Sequence, residues 1–166
     1  MGAAFNALDL ILMRKRIIVS SPTSIALEDR VWLDLERNAE VEITSETPAS
    51  PVDFALIAGT QSGWTAAQSG EQTLRLLFDQ PQKLKRIRLV FIENNDERTQ
   101  EFVLRWSADG VLFHDIVRQQ YNFSPPSTEV EEYDVSLEGV SVIELKIVPD
   151  ISGGSAIASL AELRLA

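Results

Sequence analysis

Apolar and polar side chains alternate along five stretches of this 166-residue chain, and that alternation restricts its fold more than any other feature. A period of two is typical of β-strands, because successive side chains point to opposite faces of a sheet. Each stretch has one apolar and one polar face, as in sandwiches whose sheets each have one solvated face. We therefore predict an all-β sandwich of two antiparallel sheets. The stretches are LRLLF (74–78), RIRLVF (86–91), EFVLRW (101–106), VIELKIV (142–148) and AELRLA (161–166).

Turn-forming residues separate these stretches. The Asp-Gly pair at 109–110 lies between two alternating runs and is the strongest hairpin signal in the chain. Further turns are predicted at 79–81 (Asp-Gln-Pro), 94–96 (Asn-Asn-Asp) and 149–150 (Pro-Asp). Longer irregular stretches are predicted at 45–52, 59–72 and 119–128, and loops of this length often carry the function of an all-β scaffold.

The N-terminal part of the chain has a different pattern. Residues 3–13 place several apolar side chains on one helical face and predict a helix, and a strand is expected to start near Arg16. Residues 26–36 are ambiguous, but the alternation around Trp32 favours a strand. Cations follow the apolar run instead of preceding it, and the run is too short to span a bilayer. We predict no signal peptide and no membrane span, and a cytoplasmic location is favoured.

Charge and composition restrict the chemistry. Fifteen basic and twenty-five acidic residues give a net charge of −10, which opposes binding to nucleic acid. The chain has no cysteine, so disulfides, thiol nucleophiles and cysteine-based zinc sites are excluded. A Ser-His-Asp triad would need the lone histidine, His114, which follows Phe113 in a predicted strand and is expected at the surface. We do not expect an enzyme.

Four further segments follow one another from about residue 38 onward: AEVEITSETPASPVDFALIAGTQSGW, LRLLFDQPQKLKRIRLVF, FVLRWSADGVLFHDI and VIELKIV with ASLAELRL. In this order they resemble the motifs of the discoidin family, also called the coagulation factor 5/8 type C family. The resemblance implies a galactose-binding-like jelly roll over 38–166, within a single domain of 1–166. Residues 1–37 would then be a short N-terminal extension packed on or beside it.

The resemblance also implies a possible calcium ion. Many family members hold a structural calcium between the loop before a conserved tryptophan and a carboxylate near the C-terminus. Glu162 matches that carboxylate, and Thr60 and Ser62 would supply loop oxygens. Ala58 stands where the family often has an aspartate, which leaves few ligands for an ion that prefers six to eight oxygens.

Family members mostly bind sugars, phospholipid head groups or proteins through loops at one end of the sandwich. Sugars stack on aromatic rings while planar polar groups bind their hydroxyls, so aromatic and amide residues in loops are the candidates. Alternatively, Tyr121 and Phe123 only cap the end of the sandwich. The candidate ligand-binding residues are Asn94, Asn95, Arg98, Arg118, Tyr121 and Asn122.

Two functions are consistent with these features. The first is a non-catalytic module that recognises carbohydrate through loops at one sandwich end. The second is a protein-interaction or assembly subunit that keeps the fold without binding sugar, and its partner would be another protein or, in a homo-oligomer, a second copy of this chain. The N-terminal apolar run and an outward-facing Trp32 would then form contacts, whereas Trp64 and Trp106 are predicted to be core residues.

Overall fold

The computed structural model describes residues 31–59 and 63–166, and this part of the chain is predominantly β-structure. No helix within it is long and apolar enough to cross a membrane. The helices are α1 (Leu35–Asn38) and α2 (Asp53–Leu56). The strands are β1 (Ala39–Ile43), β2 (Trp64–Ser69), β3 (Gln72–Glu93), β4 (Arg98–Ser107), β5 (Phe113–Phe123), β6 (Ser127–Val148), β7 (Ile157–Leu160) and β8 (Glu162–Leu165). The prediction of an all-β protein is confirmed.

Two strands of 22 residues, β3 and β6, run through both layers of the sandwich. The first half of β3 pairs with the second half of β6 in one layer, which has the strand order β1–β3–β6–β4–β5. The second half of β3 pairs with the first half of β6 in the other layer, which has the order β8–β3–β6. The register between β3 and β6 shifts at three points between Leu77 and Arg86. The turn predicted at 79–81 is therefore a bend within one strand. A separate antiparallel pair, β2–β7, completes the fold.

The apolar faces predicted from the alternation meet in a single core. Phe91 of the three-stranded layer packs on Phe102 of the five-stranded layer, with 5.3 Å between ring centroids. Trp64 is buried as predicted, and its indole nitrogen donates to the Ser45 carbonyl at 3.0 Å. Trp106 is only half-buried against the core. Other fully buried side chains are Leu74, Leu76, Ile87, Leu89, Leu104, Ile143, Leu145, Leu163 and Leu165.

Charged residues cross the outer face of the five-stranded layer in one row. Glu42, Arg75, Glu144 and Arg105 are register partners on β1, β3, β6 and β4. The Glu144 carboxylate accepts from Arg75 Nε at 2.7 Å and from Arg105 Nε at 2.9 Å, and its side chain is only 1% exposed. Burial raises the pKa of Glu144, but hydrogen bonds and charge from the two arginines outweigh burial and hold it below its ordinary value.

The segment before β1 differs from its prediction. Residues 31–34 form no strand, and α1 begins at Leu35, where the Asp34 carboxylate accepts from the Arg37 backbone nitrogen at 3.2 Å. This capping bond favours a helical turn over the strand predicted for 26–36, whose first residues lie outside the described part of the chain. The helix predicted at 3–13 and the strand from Arg16 also lie outside it.

Two of these N-terminal side chains contact the sandwich directly. Leu35 is buried in the core shared by the strands, although residue 35 was assigned to the N-terminal extension. Trp32 is half-buried, with the Arg86 guanidinium 5.9 Å from its ring centroid, so it is less exposed than predicted. The segment 31–37 therefore contributes to the packing of the sandwich.

Two stretches predicted as irregular are largely strands. The stretch 119–128 belongs to β5 up to Phe123 and to β6 from Ser127, leaving three residues between them. The stretch 59–72 contains β2. Both predictions failed because the strands lack regular apolar alternation. Within β5 and the first half of β6, the inward positions are partly polar.

These inward polar residues form a polar seam, made of Gln119, Tyr121, Ser127, Glu131 and Tyr133, between β5 and the first half of β6. The Tyr133 hydroxyl donates to Gln119 Oε1 at 2.6 Å, and the Gln119 amide donates to the Glu131 carboxylate. The Tyr121 and Ser127 hydroxyls lie 3.5 Å apart. The seam thus joins the edge strands of the two layers with hydrogen bonds in place of apolar contacts.

The polar seam makes stability dependent on pH. Burial, together with a hydrogen bond and the charge from Glu129, raises the pKa of Glu131 to about 7. The folded state then holds more protons than the unfolded state between the ordinary carboxyl range and pH 7, so the free energy of unfolding falls as pH rises through that window.

We expect Glu131→Gln to remove most of that dependence. At pH 8 the variant should be more stable than the parent protein by about 1 kcal/mol, a value reduced because solvent partly screens the group. Urea unfolding at pH 5, 6, 7 and 8 measures the effect. Glu132→Gln, on the outer face of the same strand, should keep the parental pH dependence. An unchanged slope in the Glu131 variant would contradict this account.

Candidate functional site

A cleft of about 550 Å³ lies at one end of the sandwich. One wall is the β3–β4 turn (94–97), the other is the β6–β7 loop (149–156), and the β2–β7 pair adds Thr65 and Ser159. We call this cavity the end cleft. Hydroxyl, amide and carboxylate groups from elements distant in sequence converge there, which is typical of a small-molecule binding site.

Internal hydrogen bonds hold the β3–β4 turn in shape. One Glu93 carboxylate oxygen accepts from the backbone nitrogens of Asn95 (2.9 Å) and Asp96 (2.8 Å), and the other accepts from Arg98 Nε at 3.0 Å. Burial raises the pKa of Glu93, but these hydrogen bonds outweigh it and hold the pKa below its ordinary value. The turn therefore presents the exposed amide side chains of Asn94 and Asn95 on a fixed backbone.

Arg98 joins the two walls of the end cleft from beneath. Its side chain is 3% exposed, its Nη1 donates to the Pro149 carbonyl at 2.6 Å and to Gln100 Oε1 at 3.1 Å, and its guanidinium lies 4.6 Å from the centre of the Phe123 ring. All of these contacts of the Arg98 guanidinium are intramolecular. Arg98 is therefore placed to position the turn and the loop.

The β6–β7 loop contributes groups that the sequence analysis did not select. Asp150 Oδ1 accepts from the backbone nitrogen and the hydroxyl of Ser152, at 3.0 and 2.6 Å, and these hydrogen bonds lower the pKa of Asp150. Gly153 and Gly154 have φ of +85° and +93°, and their small size keeps this wall open. The sequence feature that could have indicated this loop is the stretch SGGS at 152–155, a cluster of loop-forming residues that follows the predicted Pro-Asp turn.

Two isoleucines provide apolar surface in the end cleft. Ile92 is 43% exposed at the end of β3, and Ile157 is 39% exposed at the start of β7. Within the described ranges, no aromatic ring lines the cleft. Any apolar face of a ligand would therefore contact aliphatic side chains.

The structure separates the six predicted ligand-binding residues. Asn94, Asn95 and Arg98 line the end cleft, although Arg98 is bound internally. Their predicted role in ligand binding stays a prediction.

The other three predicted residues lie on β5, outside the cleft lining. Arg118 is exposed and donates to Glu101 at 2.7 Å on the outer face of the five-stranded layer. Tyr121 points inward, with its ring edge-on to Phe123 at 5.0 Å, whereas the exposed Asn122 points to the opposite side of the strand. Alternation along β5 prevents neighbouring residues from forming one site, which a loop would have allowed.

Glu162, the predicted calcium ligand, is already paired with cations. Its carboxylate accepts from Arg88 Nε at 3.2 Å and lies 4.0 Å from Arg164 Nε. The buried Arg164 guanidinium also donates to the Ala55 carbonyl at 2.9 Å, so it links β8 to α2. Both guanidinium groups approach Glu162 Oε1, and two cations beside this oxygen do not fit a calcium ion bound to it.

The other two predicted metal ligands, Thr60 and Ser62, lie outside the described residues. Among residues 31–59 and 63–166, no group of three or more acidic, histidine or cysteine side chains is arranged to hold a metal ion. His114 is exposed on β5 with its ring 5.2 Å from that of Trp106, in agreement with the predicted surface position.

Comparison with known proteins identifies the fold. No protein-family profile and no curated protein sequence matches the chain. Among solved structures, CpGH89CBM32-5 from Clostridium perfringens, in complex with GalNAc-β-1,3-galactose, is similar with a TM-score of 0.60 and 19% identity over 81% of this chain and 99% of that one. The chain has the galactose-binding-like jelly-roll fold.

Two further structures with this jelly roll are similar to the chain at the same level. The family 32 CBM of C. perfringens NanJ, in complex with galactose, has a TM-score of 0.59 and 16% identity, over 81% of this chain and 96% of that one. The CBM32 of AlyQ, in complex with 4,5-unsaturated mannuronic acid, has a TM-score of 0.59 and 16% identity, over 82% and 98%. Identities this low establish the architecture alone.

Proposed function

We propose that this chain is a non-catalytic, discoidin-type carbohydrate-binding module whose ligand occupies the end cleft. The observation that carries the proposal is the cleft itself, an open cavity of about 550 Å³ at the end of a jelly roll. Similar jelly rolls of the same architecture have been solved with sugars bound, which supports a sugar as the ligand. No catalytic group is needed for this function.

The chemistry of the cleft walls suits a pyranose ring. The Asn94 and Asn95 amides can each donate to and accept from hydroxyl groups, and the Asp150 carboxylate accepts from them. The two exposed isoleucines offer an apolar surface to the C–H face of the ring. Because internal hydrogen bonds already hold both walls in shape, little backbone conformational entropy is lost when a ligand binds.

We expect Asn94→Ala/Asn95→Ala to weaken sugar binding by at least about tenfold, since two hydrogen bonds to ligand hydroxyls would be lost. Within the part of the chain that the structure describes, their side-chain amides make no hydrogen bond that maintains the turn, which uses the Asn95 backbone nitrogen. The measurement is a glycan array, followed by calorimetry with the best ligand. Asn122→Ala, an exposed amide on β5 outside the cleft lining, is the matched control and should bind normally.

A ligand that binds equally well to the double variant and to the parent protein would contradict the proposed location. A blank array with purified, folded protein would contradict carbohydrate binding itself. The glycan array thus tests whether the chain binds carbohydrate, and the variants test whether the end cleft is the binding site.

One observation favours protein interaction as the second candidate function. Val111 and Leu112 are 84% and 62% exposed at the tip of the β4–β5 hairpin. Adjacent exposed apolar residues often mark a protein contact. A blank glycan array together with a stable oligomer, measured by light scattering, would support an assembly subunit over the sugar-binding module.

A further inference from the structure

We propose that the end cleft selects neutral sugars and discriminates against sugars that carry a carboxylate, such as uronic acids. This inference rests on the proposed function, because it assigns a ligand class to the same cleft. Proteins of this architecture have been solved with both kinds of ligand, a neutral galactose and an unsaturated mannuronic acid, so the fold alone does not decide between them.

The described residues of the end cleft offer little positive charge to an acidic ligand. Among the described residues that line the end cleft, Arg98 is the one cation. It is bound to Glu93, Gln100 and the Pro149 carbonyl, and its side chain is almost fully buried. A ligand carboxylate would have to break these bonds to reach the guanidinium. The cleft therefore offers no free cation among these residues.

Negative charge predominates among the described residues that line the end cleft. Beyond the Glu93–Arg98 pair, the Asp96, Glu97 and Asp150 carboxylates also line the end cleft. Asp96 and Glu97 are exposed, and neither is in an ion pair with another described residue. Asp150 accepts hydrogen bonds from Ser152, a neutral partner. Three carboxylates thus face the cavity from both walls.

These carboxylates act differently on neutral and on acidic ligands. Sugar hydroxyls donate to carboxylates, so a neutral sugar gains charge-assisted hydrogen bonds there. A ligand carboxylate in the same cavity lies within a Debye length of three like charges, and the described lining offers it no free cation. We expect the combined repulsion to weaken binding by at least about tenfold at low ionic strength, and to diminish as salt is added.

A polysaccharide microarray at low ionic strength tests this selectivity. Galactan, arabinogalactan and mannan serve as neutral probes, and polygalacturonate, alginate and hyaluronate serve as acidic probes. We expect binding to be confined to neutral probes. Equal binding to an acidic probe would overturn the selectivity and leave the proposed function intact, whereas a blank array would overturn the proposed function and the selectivity with it.

Charge-removing variants show whether the cleft carboxylates cause the discrimination. Asp96→Asn/Glu97→Gln should increase the ratio of acidic to neutral binding several-fold. The control Glu40→Gln/Asp79→Asn makes the same change in net charge at two exposed residues that do not line the cleft, and should leave the ratio unchanged. An equal change in both double variants would overturn the inference, because the net charge of the whole protein would then explain the selectivity.

Discussion

Gly63→Ala is expected to reduce the free energy of unfolding by more than about 3 kcal/mol and to lower the yield of folded protein. Gly63 has φ of +67°, and a Cβ atom there would lie 2.4 Å from the Leu160 carbonyl oxygen and 2.6 Å from the Ala161 Cα. These are backbone atoms, so the clash cannot be relieved by a side-chain rotation. Trp64, the next residue, pairs with Leu160, and the clash would separate β2 from β7.

Gly139→Ala is the matched control for that substitution. Gly139 also has φ of +67°, but a Cβ atom there meets nothing within 4 Å. Its replacement should cost only about 1–2 kcal/mol, the penalty of a side chain in the left-handed region. Guanidinium unfolding measures both variants. Similar losses in the two proteins would show that backbone conformation, and not the close approach to β7, determines the cost.

Removing both guanidinium groups beside Glu144 is expected to destabilise the fold by about 3–5 kcal/mol. In Arg75→Met/Arg105→Met, a carboxylate that is only 1% exposed in the parent protein loses both of its charged partners. Desolvation would then raise the pKa of Glu144, and the variant should lose stability as pH rises through neutrality. Urea unfolding at pH 5 and pH 8 measures the loss and its sign.

Replacing Glu144 while keeping both arginines should reduce the free energy of unfolding by less. Glu144→Gln leaves Arg75 and Arg105 side chains that are 41% and 32% exposed, so water can solvate both guanidinium groups. The control for Arg75→Met/Arg105→Met is Arg37→Met/Arg118→Met, which makes the same change in net charge at two exposed arginines. If Glu144→Gln reduced the free energy of unfolding as much as Arg75→Met/Arg105→Met does, the expected difference between a buried carboxylate and exposed cations would be contradicted.

The sequence predicted the strands whose inward positions are apolar and failed where those positions are polar. Stretches such as 86–91 alternate because one face meets the core and the other meets water. In the polar seam, Glu131 and Tyr133 face inward while Val130 is 45% exposed on the outside, so the pattern is inverted. Only the pairing of β6 with β3 fixes which face is inward, and that pairing joins residues more than thirty positions apart.

The candidate site was predictable only in part, because the end cleft is built from elements distant in sequence. Amides in the 94–96 turn were recognised as ligand candidates from residue type and turn chemistry. The role of Arg98 depends on the Pro149 carbonyl, 51 residues away, which no local pattern indicates. Tyr121 and Asn122 were predicted to lie together in one loop that Arg118 enters from its strand, but all three lie on β5, which directs Tyr121 and Asn122 to opposite faces.

The most direct test of the account is an NMR titration of the isotope-labelled protein with the neutral sugar that binds best on the array. We expect backbone amide shifts to change in the β3–β4 turn (94–97) and in the β6–β7 loop (150–156), and to saturate together. Arg118 and its neighbours on the outer face should not respond. Saturable changes confined to that outer face would contradict the proposed binding site, because the ligand would then bind outside the end cleft.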